Sequence, residues 1–200
     1  KNGLKLNLLN GNIDLKNLDY SYDDKGSFLF RNLSMDFNRG QISNISGSNG
    51  IGKTTLCKII LGLIKPNSGE LYVDKTGLDK LSFMWWRDQL GYVPQNLNCL
   101  NTSIIDNIKI GNPKLNEEEI GRLIQSIGLG GIIKQSNLSF NAPLDYKISK
   151  GVHKKIHYAR MIASNRPIII LDDPLESLDR DGKNFVLNLI QSLKKANKTV

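Results

Sequence analysis

The glycine-rich stretch GSNGIGKT, residues 47–54, constrains the fold of this chain more than any other feature. It matches the phosphate-loop pattern G-x-x-x-x-G-K-[ST] in full, and it lies between a predicted short strand, QISNIS, and a predicted helix, TTLCKIILGLI. The glycines allow the backbone to curl so that successive N–H groups point at phosphate oxygens, and the positive end of the following helix is directed at the same place. The sequence therefore predicts a nucleotide site, whose ligands are Gly47, Ser48, Asn49, Gly50, Ile51, Gly52, Lys53, Thr54 and Thr55.

Two side chains of the loop and two acidic residues farther along the chain predict hydrolysis as well as binding. Lys53 is expected to reach the β- and γ-phosphates, and the Thr54 hydroxyl to ligate Mg²⁺. The apolar run PIIIL has the character of a buried parallel strand and delivers Asp172 to a loop end, where its carboxylate can hold Mg²⁺ directly or through water. Asp173 follows, where a carboxylate can orient or activate the attacking water. The alternative for Asp173 is a helix cap or turn residue, because Pro174 comes next.

The order of the predicted elements indicates an α/β fold. NGNIDLKNLDYSY and FLFRNLSMDF alternate apolar and polar residues, which predicts two antiparallel strands joined by a turn at DDKG. KPNSGELYVD and QLGYVPQ each predict a strand, and the pattern from about Ile104 to Gln135 is helical, with the acidic NEEE at a helix start. The loop NAPLDYK, a helix, the strand PIIIL, an amphipathic helix and the beginning of a strand at KTV follow. Strands that alternate with helices around a parallel core define the α/β class.

Charge and composition are compatible with an anionic partner and argue against a transmembrane segment. The net charge is +8, but the basic residues are scattered along the chain, which favours a solvated basic surface. Cys57 and Cys99 are too few for a disulfide framework and lack metal-ligand spacing, which indicates a reducing compartment. No apolar run approaches the roughly 20 residues that cross a bilayer, and the first residues lack the apolar core of a signal peptide, so we expect a soluble chain.

Several further stretches, in order from about residue 13 to residue 200, resemble the nucleotide-binding domain of ATP-binding cassette (ABC) transporters of the exporter type. LDYSY resembles the first strand of that domain, and KPNSGELYVD resembles the segment after its phosphate helix. WWRDQLGYVPQ is similar to the stretch that leads to the Q-loop glutamine, TSIIDNI to the piece that follows it, and SLD, residues 177–179, to the D-loop. ISKGV occupies the place of the family signature L-S-G-G-Q, at the right distance from the acidic strand.

The resemblance implies one nucleotide-binding domain over residues 1–200 with the fold of a P-loop NTPase. That fold has a mainly parallel core sheet, an antiparallel β subdomain and a helical signature subdomain, here at about residues 96–163 with the Q-loop and the signature. The C-terminal end of the domain is expected to be missing, because the switch histidine of the family would lie a few residues past Val200.

ATP and Mg²⁺ are the ligands that the resemblance implies. Tyr22 would stack on the adenine, and the alternative is a strand tyrosine packed in the sheet. Gln95 would join Thr54 and Asp172 at the Mg²⁺ ion, sense the attacking water and contact the membrane partner. The implied catalytic residues are Asp173, Gln95 and Lys53.

The resemblance also implies partners and a location. In the family, the signature of one subunit caps the γ-phosphate that the phosphate loop of the other subunit holds, so Ser149 and Gly151 are expected to contact the partner's ATP. The expected partners are a second nucleotide-binding domain, in a homodimer or heterodimer, and a transmembrane domain in the same polypeptide or a separate subunit. No nucleic acid is expected, and the domain would lie on the cytoplasmic side of the cell membrane.

Three residues depart from the family pattern. Lys150 and Val152 lie in the signature, where Lys150 adds bulk and positive charge at a close approach of backbone to phosphate. Asp173 lies where the family has a catalytic glutamate, and aspartate is shorter by one methylene; a misplacement of about 1 Å can reduce a rate roughly a hundredfold. We therefore expect hydrolysis that is impaired or that depends on a partner.

The signature stretch also predicts an amphipathic helix. Its apolar face would comprise Val152, Ile156, Ala159 and Ala163. His153 and His157, one turn apart, do not replace the switch histidine, and we expect both on a solvated face.

Three functions compete at this point. The leading one is the ATPase domain of an ABC exporter, which dimerises on ATP to drive export of an unknown substrate. The second is a degenerate ABC domain that binds ATP as a regulatory or structural ligand or works with an intact partner. The third is a soluble ABC ATPase that acts on DNA or ribosomes; against it, the chain shows neither the long coiled coil of DNA-repair members nor the tandem domains of translation members.

Overall fold

The computed structural model of the protein describes residues 3–23, 27–96, 98–131, 140–141, 143–144 and 148–200. The chain divides into two units. The first comprises Lys1–Leu90, Pro167–Asp172 and Ile190–Val200, and the second comprises Gly91–Arg166 and Asp173–Leu189. Parts of three predicted segments lie outside the described residues: 24–26 of the turn DDKG, 132–135 of the helical stretch, and 142 and 145–147 of the loop NAPLDYK.

An antiparallel sheet with the strand order β2-β1-β3-β4 lies in the first unit. Its strands are β1 (Ile13–Ser21), β2 (Phe28–Phe37), β3 (Ser68–Val73) and β4 (Thr76–Gly77), which confirms the strands predicted at its start.

Strand β1 contains a bulge that strict alternation did not predict. Its pairing with β2 shifts register between Leu15 and Leu18, and Asn17 has a φ of 51°. The extra residue turns Leu15 and Leu18 to the same face in spite of their odd spacing, and both are fully buried. Gly69 is required beside the bulge, because a Cβ there would lie 2.4 Å from the carbonyl oxygen of Asn17.

Two helices pack together in the first unit. Helix α1 (Lys53–Ile60) confirms the helix predicted after the phosphate loop, and it buries Leu56, Ile59 and Ile60. A short 3-10 helix (Leu78–Lys80) leads to α2 (Phe83–Arg87). Trp86 of α2 is fully buried, and its indole N–H donates to the carbonyl oxygen of Ile60 at 2.8 Å. This bond fixes α2 against the carboxyl end of α1.

A parallel bridge to Thr199 pairs the apolar strand that precedes Asp172. Strand β5 is Leu90–Val93 and strand β6 is Ile168–Leu171. Ile169 N–H donates to the Thr199 oxygen at 2.8 Å, in a parallel bridge that involves the predicted final strand KTV. Val200 in turn exchanges two backbone hydrogen bonds with the segment Gln41–Ser43, at 2.8 and 2.9 Å. The prediction of a regular strand at QISNIS is wrong, because in the described part of the chain this pairing ends at Ser43 and residues 41–46 form no strand.

The second unit is helical and has its own core. It contains α3 (Ile104–Lys109), α4 (Glu117–Ser126), α5 (Lys150–Ser164) and the start of α6 (Arg180–Lys195). Asn116 caps α4 in a capping box with Glu119, and three glutamates occupy the first turn, as the NEEE pattern predicted. The buried cluster is rich in isoleucine at helical spacing and comprises Ile104, Ile108, Ile120, Ile124, Ile127, Leu129, Leu144, Val152, Ile156, Ala159 and Ala163.

The element order confirms the predicted α/β class, with an antiparallel sheet, parallel pairing and a helical segment that carries the signature. Among the described residues, no helix combines the length and the apolar character that crossing a bilayer requires.

Candidate nucleotide-binding site

The phosphate loop adopts a backbone that depends on glycine at two positions. Gly50 has a φ of +83° and Gly52 a φ of +104°, both in the left-handed region. A Cβ on Gly52 would lie 2.7 Å from the ring of Phe30, whereas a Cβ on Gly50 would meet open space. Helix α1 begins at Lys53 directly after Gly52, so its first N–H groups receive no side-chain cap from that residue. Such N–H groups at the positive end of a helix fit a phosphate.

The side chain of Lys53 folds back over the start of the phosphate loop. Its ammonium donates to the carbonyl oxygens of Gly47 at 2.9 Å and of Ser48 at 3.0 Å. The cation is therefore held at the loop whose N–H groups are the predicted phosphate ligands. Ammonium, hydroxyl and backbone N–H groups together form a donor set that suits a polyphosphate.

The two predicted Mg²⁺ ligands of the first unit are in contact. The Thr54 hydroxyl donates to the Asp172 carboxylate at 3.1 Å, and Asp172, directly after β6, is only 3% exposed. Burial, aided by the negative charge of Asp172, raises the pKa of the Cys57 thiol to about 12, so Cys57 stays a neutral, packed side chain. One carboxylate with one hydroxyl fits Mg²⁺, which keeps several waters and takes further oxygens from substrate phosphates. No group of three or more His, Cys, Asp or Glu side chains among the described residues has the arrangement of a metal site.

Tyr22 lies outside the sheet and beside the helix of the phosphate loop. Its side chain is 69% exposed, and its hydroxyl is hydrogen-bonded to the Thr55 hydroxyl. Tyr20 is the tyrosine that packs in the sheet, and it contacts the Tyr22 ring edge to face at 5.1 Å. The exposed ring of Tyr22 is thus available for stacking, and the alternative of a packed strand tyrosine does not fit its exposure.

Gln95 and Asp173 belong to the second unit. Gln95 is half-buried, two residues past the end of β5. Asp173 has a φ of 49°, and its carbonyl oxygen accepts from Glu176 N–H at 3.2 Å, which closes a tight turn. The backbone of Asp173 therefore matches the turn interpretation, while its carboxylate stays compatible with a role in orienting water.

The signature residues form the start of helix α5. Ser149 caps the helix, since Val152 N–H donates to its hydroxyl at 3.3 Å. Ser149 and Lys150 are exposed, and Gly151 is partly buried. A serine hydroxyl at the amino end of a helix, next to an exposed ammonium, is an arrangement that suits an anion. The predicted apolar face of Val152, Ile156, Ala159 and Ala163 is confirmed, because all four are buried.

The prediction of a solvated face for the two histidines is wrong for His157. Its side chain is only 7% exposed, and its Nε2 lies 3.3 Å from the Asn98 oxygen. Burial, aided by the charge of Arg160, lowers the pKa of His157 to about 4. His153 is partly buried, and burial lowers its pKa as well. Helix α5 is therefore covered on its histidine face as well as on its apolar face. The spacing of His153 and His157 shows that they share a face, but it cannot show whether that face is exposed.

Two residues of α5 that the sequence did not single out contact the segment that contains Asp173. Lys154 is 1% exposed, and its ammonium donates to the carbonyl oxygens of Asp173 and, at 2.9 Å, of Glu176. Tyr158 is fully buried, and its hydroxyl donates to the Pro174 oxygen at 2.8 Å. Lys154 lies in a run of basic residues, so the sequence does not indicate that it is buried. Only its spacing of four residues from Tyr158 suggests that the two share a face of the helix.

A family model and the curated relatives compared here point to the same protein family. The family model described as ABC transporter matches residues 30–176. The alpha-hemolysin translocation ATP-binding protein HlyB of Escherichia coli O157:H7 is 28% identical over 195 residues, which cover 96% of this chain and 28% of HlyB. ABC transporter B family member 13 of Arabidopsis thaliana is 26% identical over 99% of this chain and 16% of its own length. Human ATP-binding cassette sub-family B member 5 is 27% identical over 99% of this chain and 16% of its own length.

The fold also has a close counterpart among solved structures. A bacterial Atm1-family ABC exporter with ATP bound superposes with a TM-score of 0.91 at 21% sequence identity, over 99% of this chain and 35% of that one. The chain therefore spans about a third or less of the length of each relative compared here.

Proposed function

The chain belongs to the ABC transporter family, and we propose that it is the ATP-binding and hydrolysing motor domain of an exporter. The observation that carries this proposal is the complete phosphate loop whose Thr54 hydroxyl is bonded to the buried carboxylate of Asp172 at 3.1 Å. Two relatives that align over almost the whole chain, HlyB and the Atm1-family exporter, are described respectively as a translocation ATP-binding protein and an exporter.

Each residue of the phosphate site has a separate task. The loop N–H groups and Lys53 bind the triphosphate, and Tyr22 stacks on the adenine. Thr54 and Asp172 would hold Mg²⁺, with Gln95 as the further ligand that the family resemblance implies, and the ion would supply neutralisation of charge that develops on the phosphate oxygens. Asp173 orients the attacking water. Asp173 does so from a shorter side chain than glutamate, so we infer a slow hydrolytic step.

We infer that two such domains act together. Ser149 and Gly151 of one domain contact the ATP held by the phosphate loop of the other, and the transmembrane domain supplies the transport path. Lys150 and Val152 then affect the partner's site, whereas Asp173 affects the site of its own chain. A homodimer would carry both departures in both sites, and a heterodimer with an intact partner would carry one in each. The domain would lie on the cytoplasmic side of the membrane.

A second function is favoured by the same departures. Lys150 is exposed at the signature, and Asp173 replaces the glutamate expected in the family. A domain with both changes can bind Mg-ATP as a structural or regulatory ligand without turning it over at a useful rate. Binding with no turnover would favour this second function.

Mg-ATP turnover by the full-length protein tests the proposal. We expect Lys53→Ala to abolish turnover, because the cation that contacts the β- and γ-phosphates is lost. Lys58→Ala, an exposed lysine in the last turn of the same helix, is the matched control and should retain the wild-type rate. Equal activity of wild type and Lys53→Ala would contradict hydrolysis at this loop.

A further inference from the structure

Three residues of helix α5 form a stripe that faces the segment Asp173–Ser177. Gly151, Lys154 and Tyr158 are spaced by three and four residues, which places them on one side of the helix. A Cβ on Gly151 would lie 3.5 Å from the Ser177 oxygen, Lys154 donates to the oxygens of Asp173 and Glu176, and Tyr158 donates to the Pro174 oxygen. Four carbonyl groups of this segment, all except that of Leu175, are therefore known to lie against one face of helix α5.

The segment needs such support because its backbone is unfavourable by itself. Asp173 and Ser177 have φ values of 49° and 60°, in the left-handed region that non-glycine residues seldom adopt. Such conformations persist where surrounding contacts hold them. The segment lies between the end of β6 and the start of α6, so its carbonyl groups are outside the regular hydrogen bonding of either element.

Lys154 is the central support of this stripe. An ammonium that is 1% exposed is costly to remove from water, and it is tolerated only where its donors are satisfied. Two of its hydrogen bonds hold the first and fourth residues of the segment, Asp173 and Glu176. Burial raises the pKa of the Tyr158 hydroxyl, which stays protonated as the donor to Pro174. The ring of Tyr158 is itself held edge to face by Phe185 at 6.0 Å.

We propose that Lys154 is a positioning residue for hydrolysis: its buried ammonium fixes the backbone of Asp173 and so sets where the Asp173 carboxylate holds the attacking water. This inference rests on the proposed role of Asp173. Lys154 acts through its contacts to the carbonyl oxygens of Asp173 and Glu176. The proposed nucleotide ligands Lys53 and Thr54 lie in the phosphate loop, so we expect nucleotide binding to be independent of Lys154.

The first test compares Lys154→Met with Lys155→Met in the full-length protein. Lys155 lies next in the same helix and donates to the Gly128 oxygen at 3.4 Å, outside the stripe. We expect Lys154→Met to lower kcat for Mg-ATP about tenfold to a hundredfold, because the carboxylate is displaced by about 1 Å, and to leave KM within about twofold. Lys155→Met should change neither constant. Lys154→Arg, which keeps a cation but moves its donors, should give an intermediate kcat.

The second test measures amide hydrogen exchange in the same variants. Lys154→Met should speed exchange in residues 173–178 about tenfold or more, while residues 47–55 keep their wild-type rates. Unchanged exchange at 173–178, or a kcat loss accompanied by an equal loss of ATP affinity, would overturn the positioning role. If wild type shows no more turnover than Lys53→Ala, the proposed hydrolysis fails, and exchange at 173–178 alone then decides whether Lys154 holds the segment.

Discussion

At the scale of single residues, two glycines of the phosphate loop serve different purposes. Both Gly50 and Gly52 have positive φ angles, so both relieve backbone strain. A side chain on Gly52 would enter the ring of Phe30, whereas a side chain on Gly50 would point into open space, where a phosphate can approach. The motif predicts that both residues are needed; the structure shows a packing requirement at Gly52, and we propose a binding requirement at Gly50.

We predict that Gly52→Ala and Gly50→Ala damage different properties. Both should lose about 1–2 kcal/mol of stability through the left-handed backbone, and Gly52→Ala about 1–3 kcal/mol more through overpacking against Phe30. Gly50→Ala should mainly weaken ATP binding. Urea unfolding and equilibrium ATP binding measure the two effects, and equal loss of stability in both variants would contradict the packing role of Gly52.

Residue patterns indicate the candidate ligands of the site better than they indicate the buried residues that pack around it. Lys53, Thr54 and Asp172 were predicted because a phosphate loop and an apolar strand that ends in acid each have a recognisable local pattern, and Thr54 and Asp172 are in contact. The burial of Lys154 and of His157 was not predicted, because it depends on segments that are distant in the sequence. Asp173–Glu176 covers Lys154, and Asn98 lies against His157. A helical period cannot indicate which additional faces a neighbouring loop will cover.

At the scale of elements, helix α5 organises the second unit. It buries its apolar face in the isoleucine-rich core and holds Asp173–Ser177 through a second face. A third set of contacts joins it to α3 and to the segment that precedes α3. Arg160 donates to the backbone oxygen and the side-chain oxygen of Asn107, at 3.0 and 2.8 Å, and His157 contacts Asn98. The helix that begins at the predicted signature thus contacts both the turn at Asp173–Ser177 and the residues Asn98 and Asn107.

We predict that His157 makes this unit sensitive to acid. Its pKa is lowered from 6.5 to about 4 in the folded protein, so the folded state favours the neutral ring and the unfolded state takes up the proton first. The contribution of His157 to stability is therefore present above pH 6.5 and is lost as the pH falls towards 4. Stability should fall by about 2 kcal/mol between pH 7 and pH 5.

Urea unfolding of the isolated chain at the two pH values measures this loss. His157→Gln, which cannot take up a proton in this range, should remove most of the pH dependence. An equal loss in His157→Gln and wild type would assign the acid sensitivity to other groups.

At the scale of the whole molecule, the chain has the fold of the family, and the proposed departures from the family pattern are at single residues, Lys150, Val152 and Asp173. The chain matches the fold of an ATP-bound exporter with a TM-score of 0.91, although sequence identity is only 21%. In the proposed dimer, the signature of one domain contacts the ATP of the other. Lys150 and Val152 would therefore affect the partner's site, and Asp173 would affect the site of its own chain. Helix α5 begins at the predicted signature and makes the contacts to Asp173, so in the proposed dimer the partner's ATP and the chain's own Asp173 would depend on the same helix.

The most direct measurement is Mg-ATP turnover by the full-length protein beside its Asp173→Glu variant, with Lys53→Ala as the blank. We predict wild-type turnover that is slow but above the blank, and an increase of about tenfold to a hundredfold in Asp173→Glu, because the longer side chain restores the distance to the attacking water. If wild type and Asp173→Glu both remain at the level of Lys53→Ala while still binding ATP, the chain is not a motor, and ATP is a structural or regulatory ligand.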